Sequence, residues 1–484
     1  MLARIGIAAA AMGTIISSLV FYGWWNPAYL PIPILSIALN YWIARQIAYA
    51  TGPRSRGLMI AGIVANLLVL CYFKYADFLL AIVDGHTPTP PNVPLALSFT
   101  TFVQIAFLAY VYQRRHYVDF IPYALFVAFF PHLIAGPIVR WGSFGRQLGE
   151  GARYKLDWEN VALGLTIFTF GLAKKVMVAD MLAPHVGILF GAAAHGEPVT
   201  ALASWGGAVA FILQIYFDFS GYSDMAVGLG LLFNFRLPIN FAAPLRATNM
   251  FDLWRRWHVT LSRLARDLIY VPLSRGDTGT LRRSANLFLT MIVIGIWHGA
   301  GWTFIAWGAF NGVLLLINQA WRSAWGQGGK TAGGRLAAWA LTFTGFTIGG
   351  VFFRAPDMET AWHLLNAMAG FGQAPAAASL TPVLSQWMIG HGFLSEAFVR
   401  SWFGTSWSVY ATIATIVALA IALLVPDTME LTNYREGEPQ SNWRRTVKFL
   451  AWRPSLPSLA VTAIIFVAAA TLIGRVNEFI YYQF

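Results

Sequence analysis

The sequence predicts an all-α, polytopic membrane protein, and three observations carry that prediction: composition, the recurrence of apolar runs, and the placement of basic residues. Of 484 residues, 57% are apolar and 15% aromatic, only 11% are charged, and the mean hydropathy is +0.58. Soluble domains carry about a quarter charged residues, so lipid is the solvent that suits this chain. Apolar runs recur at Ile5–Tyr22, Tyr29–Ile43, Leu58–Val83, Val161–Leu172, Ala201–Ile215, Leu287–Trp297, Trp302–Ile317, Ser408–Val425 and Leu459–Ile473. The longer runs approach the ~20 residues that span a hydrocarbon layer of about 30 Å, and those near ~12 suit re-entrant or broken helices. Together they predict one membrane domain over residues 1–484, with about 11 to 13 helical segments.

The third observation is charge. Lys and Arg number 33 against 21 Asp and Glu, a net charge of +12. In a soluble protein that excess would suggest nucleic acid; here the basic residues cluster between apolar runs, as the positive-inside rule requires. The densest cluster, Arg236 to Arg283, holds nine arginines against Asp252, Asp267 and Asp277. It is expected on the cytoplasmic side, where it could receive an anionic cofactor.

The first apolar run follows Arg4 but is too long for a signal peptide and lacks a cleavage site, so it reads as the first transmembrane helix. The lone cysteine, Cys71, excludes a disulfide framework or a cysteine-rich metal site and reads as a small core residue. No internal repeat or long soluble domain is present. The longest polar stretches are Gly142–Trp158, Asp427–Lys448 and the Pro-rich loop Asp84–Pro94; the region 427–456 is expected to be a polar loop or surface helix.

Trp254–Ile269 projects as a basic amphipathic helix lying in the interface. Trp254, Trp257, His258, Leu261, Leu264, Ala265, Leu268 and Ile269 share one arc, Arg255, Arg256, Thr260, Ser262, Arg263, Arg266 and Asp267 the other, and only Val259 is misplaced. His258 thus points into the protein or the membrane.

Ionisable groups at membrane depth cost about 2.5 to 3.5 kcal/mol even on insertion scales and mark function by default. His298 is the clearest. If Arg283 marks the interface, the rise from Leu287 to Trp297 is about 16 Å, which places His298 near mid-depth. Gly299–Gly301 then loosens the helix, and Trp297 and Trp302 flank the histidine. In Tyr216–Asp224, the carboxylates Asp218 and Asp224, with Ser220, Tyr222 and Ser223, interrupt an apolar run. Six residues apart on a helix, the two acids face different ways, which argues against a carboxylate dyad or a metal site. Pairing with arginines and substrate orientation both stay open for them, with a helix break at Gly221 able to aim both inward. In Phe129–Arg140, Pro131 and Pro137 break regular helix and His132 reads as structural.

Four motifs in order, Phe-Pro-His-Leu-Ile-Ala-Gly-Pro-Ile-Val-Arg, Tyr-Phe-Asp-Phe-Ser-Gly-Tyr-Ser-Asp-Met-Ala, Trp-Arg-Arg-Trp-His-Val-Thr-Leu-Ser and Ile-Trp-His-Gly-Ala, resemble the membrane-bound O-acyltransferase (MBOAT) family. The resemblance is to the bacterial branch typified by the membrane subunit of alginate O-acetylation, and it covers at least residues 21–356. It departs after Val271-Pro-Leu, where Ser274-Arg-Gly stands in place of a Gly-Gly-Asn run.

The resemblance implies the MBOAT fold, with helices around a central tunnel, in the bacterial inner membrane. It implies acetyl transfer from a cytoplasmic thioester, acetyl-CoA, by way of a periplasmic SGNH-hydrolase-type partner, to hydroxyls of an exopolysaccharide. The other expected associations are an exopolysaccharide biosynthesis complex and membrane lipid, with no nucleic acid and no metal. His298 corresponds to the family's Trp-His-Gly histidine and is expected to be the general base. His258 is expected to orient the thioester or polarise its carbonyl. Trp257, Trp297, Asp218, Ser220, Tyr222 and Asp224 are candidate substrate contacts, and Arg255, Arg256 and Arg263 candidate phosphate contacts. A D-alanyl transferase fed by a carrier protein is the alternative within the family, and a polysaccharide transporter the alternative outside it.

Overall fold

The computed structural model describes residues 6–86, 93–133, 136–148, 156–276, 279–326, 331–372, 409–434 and 451–475, with no strand among them. Four helices open the chain: α1 (Ile7–Trp25), α2 (Pro31–Tyr49), α3 (Gly52–Asp84) and α4 (Leu97–Arg114). Leucines, valines and isoleucines such as Leu35, Leu68, Leu80 and Val83 are exposed on their outer faces. That surface suits acyl chains and would be untenable in water. Exposed Trp24, Trp25 and Tyr49 at helix ends match the aromatic belt of a bilayer interface. Cys71 lies on the exposed side of α3, so the expectation of a core cysteine is corrected.

The proline-containing stretch is broken as its sequence demands. α5 (Phe120–Ala128) ends before Phe129, and the short α6 (Phe130–Leu133) follows. Residues 137–140 form no regular element before α7 (Trp141–Leu148). α8 (Trp158–Ala173) starts on Asp157, which accepts from the amides of Glu159 and Asn160. It continues through a π-helical turn, Lys174–Ala179, into α9 (Asp180–Ala194).

α10 (Ala201–Leu232) is the axis of the molecule. Of its most apolar window 72% is buried inside the protein, against 22% for α3. It packs on α8, the π turn and α9. No break occurs at Gly221; the helix runs through it without interruption. Three short helices follow, α11 (Met250–Arg256), α12 (Val259–Ala265) and α13 (Val271–Leu273). α14 (Thr280–His298) and α15 (Trp302–Trp325) form an antiparallel pair, followed by α16 (Ala332–Arg354) and α17 (Met358–Asn366). α18 (Val409–Leu424), α19 (Thr428–Thr432) and α20 (Leu456–Ala470) close the described chain.

Eight helices among the described residues are long and apolar enough to cross a membrane, and α20 is a shorter apolar one. α1 is one of the eight, as expected of the first apolar run. α16 is another, although no apolar run marked it in the sequence. Threonines and glycines punctuate its apolar residues, and Thr342, Gly345, Thr347, Gly349 and Gly350 are all buried in the protein interior. Small residues at buried positions are how membrane helices approach one another closely.

The Asp427 end of the expected polar stretch is no surface loop. Asp427 and Glu430 form a capping box on α19, whose Thr428, Met429 and Thr432 are buried, and Arg246 pairs with Glu430 at 3.0 Å. Residues 435–450 of that stretch, 87–92 of the Pro-rich loop and 149–155 after α7 lie outside the described residues.

Candidate active site

His298 is the last residue of α14, and the chain turns extended at Gly299. α14 and α15 meet closely below it through glycines. A Cβ on Gly308 would stand 2.6 Å from the Met291 carbonyl, and one on Gly295 would stand 2.4 Å from the Phe304 carbonyl. Larger residues at either place would push the pair apart and carry His298 with it. The His298 ring packs among aromatics, 4.7 Å from Trp297 and 5.0 Å from both Trp307 and Phe353 between centroids. A cavity of about 20 Å³ opens beside it, lined by Ile212, Ile215, Trp257, Trp307, Phe346 and Phe353. That is room for about one water molecule. Beside His298 itself the space is a small, mostly apolar chamber walled by aromatic rings.

The expectation of one continuous amphipathic helix over Trp254–Ile269 is corrected. α11 stops at Arg256, Trp257 is extended, and His258 takes left-handed backbone with φ 42 before α12 begins. A π-helical turn, Arg266–Tyr270, follows α12. The break is held from outside: the Val259 amide donates to the Asn240 carbonyl at 2.9 Å and the Ala242 amide to the Arg256 carbonyl at 3.0 Å. A non-glycine residue in left-handed backbone is uncommon and persists where surrounding contacts over-determine it. Its consequence is that His258 points inward more completely than a regular helix would allow, and it is 1% exposed.

Four side chains fix the His258 ring. Its Nδ1 lies 3.3 Å from Asn240 Oδ1, and Thr260 Oγ1 donates to the same oxygen at 2.6 Å. Thr260 Oγ1 in turn accepts from the Ile138 amide, and Asn240 Nδ2 donates to Ser223 Oγ at 3.1 Å. With Asn240 oriented by these partners, His258 Nδ1 carries the proton and donates. Nε2 then keeps its lone pair, and it has no hydrogen-bond partner among the described residues. Phe219 packs edge-on to the ring at 4.8 Å. Trp297 touches both imidazoles, with its ring 6.3 Å from that of His258.

The four sequence motifs therefore converge. Ile138 supplies an amide, Ser223 and Phe219 a face of α10, His258 and Thr260 the broken helix, and Trp297 and His298 the end of α14. Asn240, which joins three of them, was not among the residues predicted from sequence. Nor was Lys74, whose ammonium donates to the carbonyls of Trp297 and His298 at 2.6 and 2.9 Å. A lone lysine inside the run Leu58–Val83 was the available signal. Trp257 and Trp297 are both buried beside the histidines.

The other candidates sit elsewhere. On α10, Ile212, Ile215, Phe219 and Ser223 follow one face toward the histidines, and the acids lie on another. Asp218 pairs with Lys175 at 2.8 Å and Asp224 with Lys174 at 2.6 Å. Lys175 also holds Asp180 at 2.7 Å. Structural pairing is what the structure shows, with lysines of the π turn where arginines were expected. Ser220 is buried on the same helix, and Tyr222 is half-buried. Arg256 is tied to Asp252 at 2.9 Å, while Arg255 is exposed. His132 Nε2 lies 3.0 Å from the Phe126 carbonyl, a structural contact.

Buried imidazoles at the broken ends of helices, enclosed by aromatics inside a bundle of apolar spans, mark a multi-pass membrane protein with a candidate reactive centre within the bundle. Comparison with known proteins assigns its family. Residues 108–326 match the MBOAT, membrane-bound O-acyltransferase family, a region that includes Asn240, His258 and His298. The chain is 39% identical to the peptidoglycan O-acetyltransferase of Helicobacter pylori over 74% of its own length and 73% of that protein's. It is 40% identical to the probable alginate O-acetylase AlgI of Azotobacter vinelandii, over 74% and 72% of the two lengths. A teichoic acid D-alanyltransferase of Streptococcus thermophilus is 30% identical over 40% of this chain and 49% of that one. The chain belongs to the membrane-bound O-acyltransferase family and is an acyltransferase, which sets the transporter reading aside.

Proposed function

We propose that the chain transfers an acetyl group from a cytoplasmic thioester, acetyl-CoA, to a hydroxyl presented from the other side of the bacterial cytoplasmic membrane. The observation that carries this reading is the pair of buried imidazoles meeting at Trp297, in a chain whose more extensive similarities are to proteins named O-acetyltransferases. Similarity to the D-alanyl transferase covers a smaller part of the chain, which favours acetyl over aminoacyl cargo.

In net terms the acceptor oxygen forms a bond to the acetyl carbonyl carbon, the carbon–sulfur bond breaks, and the hydroxyl proton ends on sulfur. His298 takes that proton as general base, a role for which neutral imidazole is suited because its ordinary pKa lies near neutrality. Of the two roles expected of His258, orienting the thioester is open to either tautomer, whereas polarising its carbonyl needs a proton on Nε2. With Nδ1–H committed to Asn240, His258 instead gives the proton a second basic site on its way to sulfur. Trp257 and the aromatic walls exclude water, which would otherwise intercept the acetyl group. Arg255 and the neighbouring basic surface would receive the coenzyme A phosphates.

The acceptor hydroxyl belongs to a periplasmic SGNH-hydrolase-type protein, which passes the acetyl group to an exopolysaccharide as part of a biosynthesis complex. The test is to supply radiolabelled acetyl-CoA to inverted membrane vesicles containing the chain and such a partner. Label on the partner or polymer is the expected result. Label only from a carrier-bound D-alanyl group would overturn the reading in favour of aminoacyl transfer.

A further inference from the structure

We propose that Lys74 is a positioning residue for His298, acting through the main-chain carbonyls at the end of α14. The inference rests on His298 being the base, as argued above.

The last four carbonyls of a helix have no partner within it, and in a membrane interior water does not supply one. α14 ends inside the protein at His298, and α3 covers its end. Tyr75 Oη donates to the Ile296 carbonyl at 2.7 Å, and Lys74 Nζ donates to the Trp297 and His298 carbonyls at 2.6 and 2.9 Å. Three successive carbonyls are thus capped by two adjacent side chains. Lys74 is 4% exposed, about 15 Å along the helix axis from the α3 terminus at Asp84. A buried lysine needs compensation, and its partners here differ from those of Lys174 and Lys175, which meet carboxylates. Its Nζ faces the carbonyl end of α14, where the helix dipole is negative, and lies 5.9 Å from the Trp297 ring centroid.

Geometry gives this contact its importance. The bonded oxygens belong to His298 itself and to the residue before it. The next residue, Gly299, is extended, so no further helical turn restrains the imidazole from above. Lys74 and Tyr75 hold this last turn at its carbonyls, alongside the packed aromatics and the close α14–α15 contact. A shift of about 1 Å at a reacting group can cost about a hundredfold in rate, so losing this cap should act on turnover before it acts on donor binding.

The experiment uses the full chain in membranes, with Lys74→Met and Lys74→Arg beside wild type, each quantified by protein level. With acetyl-CoA as donor, Lys74→Met should lower kcat at least about tenfold with KM within about twofold, whereas Lys74→Arg, still able to reach both carbonyls, should stay within about threefold of wild type. A wild-type kcat in Lys74→Met overturns the proposal, as does an equal loss in both variants accompanied by a raised KM. A second measurement needs no donor, and so separates this inference from the choice of acetyl-CoA. Diethyl pyrocarbonate modification of His298, followed by mass spectrometry, should change in rate at least about threefold in Lys74→Met with His132 unchanged. An unchanged His298 rate overturns the proposal even if acetyl-CoA proves the wrong donor. Should Lys74→Met fail to accumulate, the same modification rate is read on Lys74→Gln, with the same two outcomes.

Discussion

Asn240 Oδ1 stands 3.3 Å from His258 Nδ1 and leaves Nε2 of that ring as the free lone pair. The contact joins a loop residue to a histidine held in left-handed backbone, and Thr260 and Ser223 lock the amide that makes it. If it sets the tautomer, then replacing Asn240 with Leu should release the ring and lower turnover by about ten- to a hundredfold, within the range of acid–base contributions. Asn240→Asp keeps an acceptor facing Nδ1 and should retain more activity than Asn240→Leu. Transfer assays on the two variants at matched protein level check this; equal, wild-type rates in both would remove His258 from the mechanism.

The glycine contact between α14 and α15 yields a second expectation. Gly308 has room for no side chain, since a Cβ would meet the Met291 carbonyl at 2.6 Å. Gly308→Val should cost about 1 to 3 kcal/mol of stability, as overpacking does. It should also depress acyl transfer further than the stability loss explains, because the helix that moves carries His298. Thermal unfolding in detergent, read beside activity at low temperature, separates the two effects. Full activity would mean that the pair adapts without moving the histidine.

Lys175 holds two carboxylates, Asp218 and Asp180, and all three side chains are buried. Removing one partner of a buried pair costs about 3 to 5 kcal/mol. Lys175→Met, which strands two acids, should therefore destabilise the protein strongly. Asp218→Asn leaves Lys175 paired with Asp180 and should be milder, with KM for the donor unchanged. Membrane accumulation and the unfolding midpoint measure the first point, and donor titration the second. A raised KM in Asp218→Asn would restore the substrate role that its sequence motif suggested.

How much of this was legible in the sequence depends on which force set each feature. Apolar runs and proline breaks follow from the chain's own chemistry, so α1, the first half of α10 and the interruption near Pro131 were foreseen. His298 and His258 were found because an imidazole among tryptophans is costly and conspicuous. α16 was not marked because threonines and glycines interrupt its apolar run, although its mean hydropathy equals that of the segment Trp158–Ala194. The Trp254–Ile269 helix was drawn too long. Its periodicity is real, but the hydrogen bonds that break it at His258 come from Asn240 and Ala242, which a helical projection does not include. Asp218 and Asp224 drew attention for their charge, while their lysine partners across the α8–α10 interface were overlooked. Lys74 escaped for a related reason: its partners are backbone carbonyls more than two hundred residues away.

The account depends most on His298. The direct measurement is acetyl transfer by membranes carrying His298→Gln at wild-type protein level, with the labelled thioester supplied from the cytoplasmic face. Loss of transfer by about a hundred- to ten-thousandfold, the usual contribution of a general base, is the predicted result. Transfer at the wild-type rate would contradict the assignment of His298 as the base.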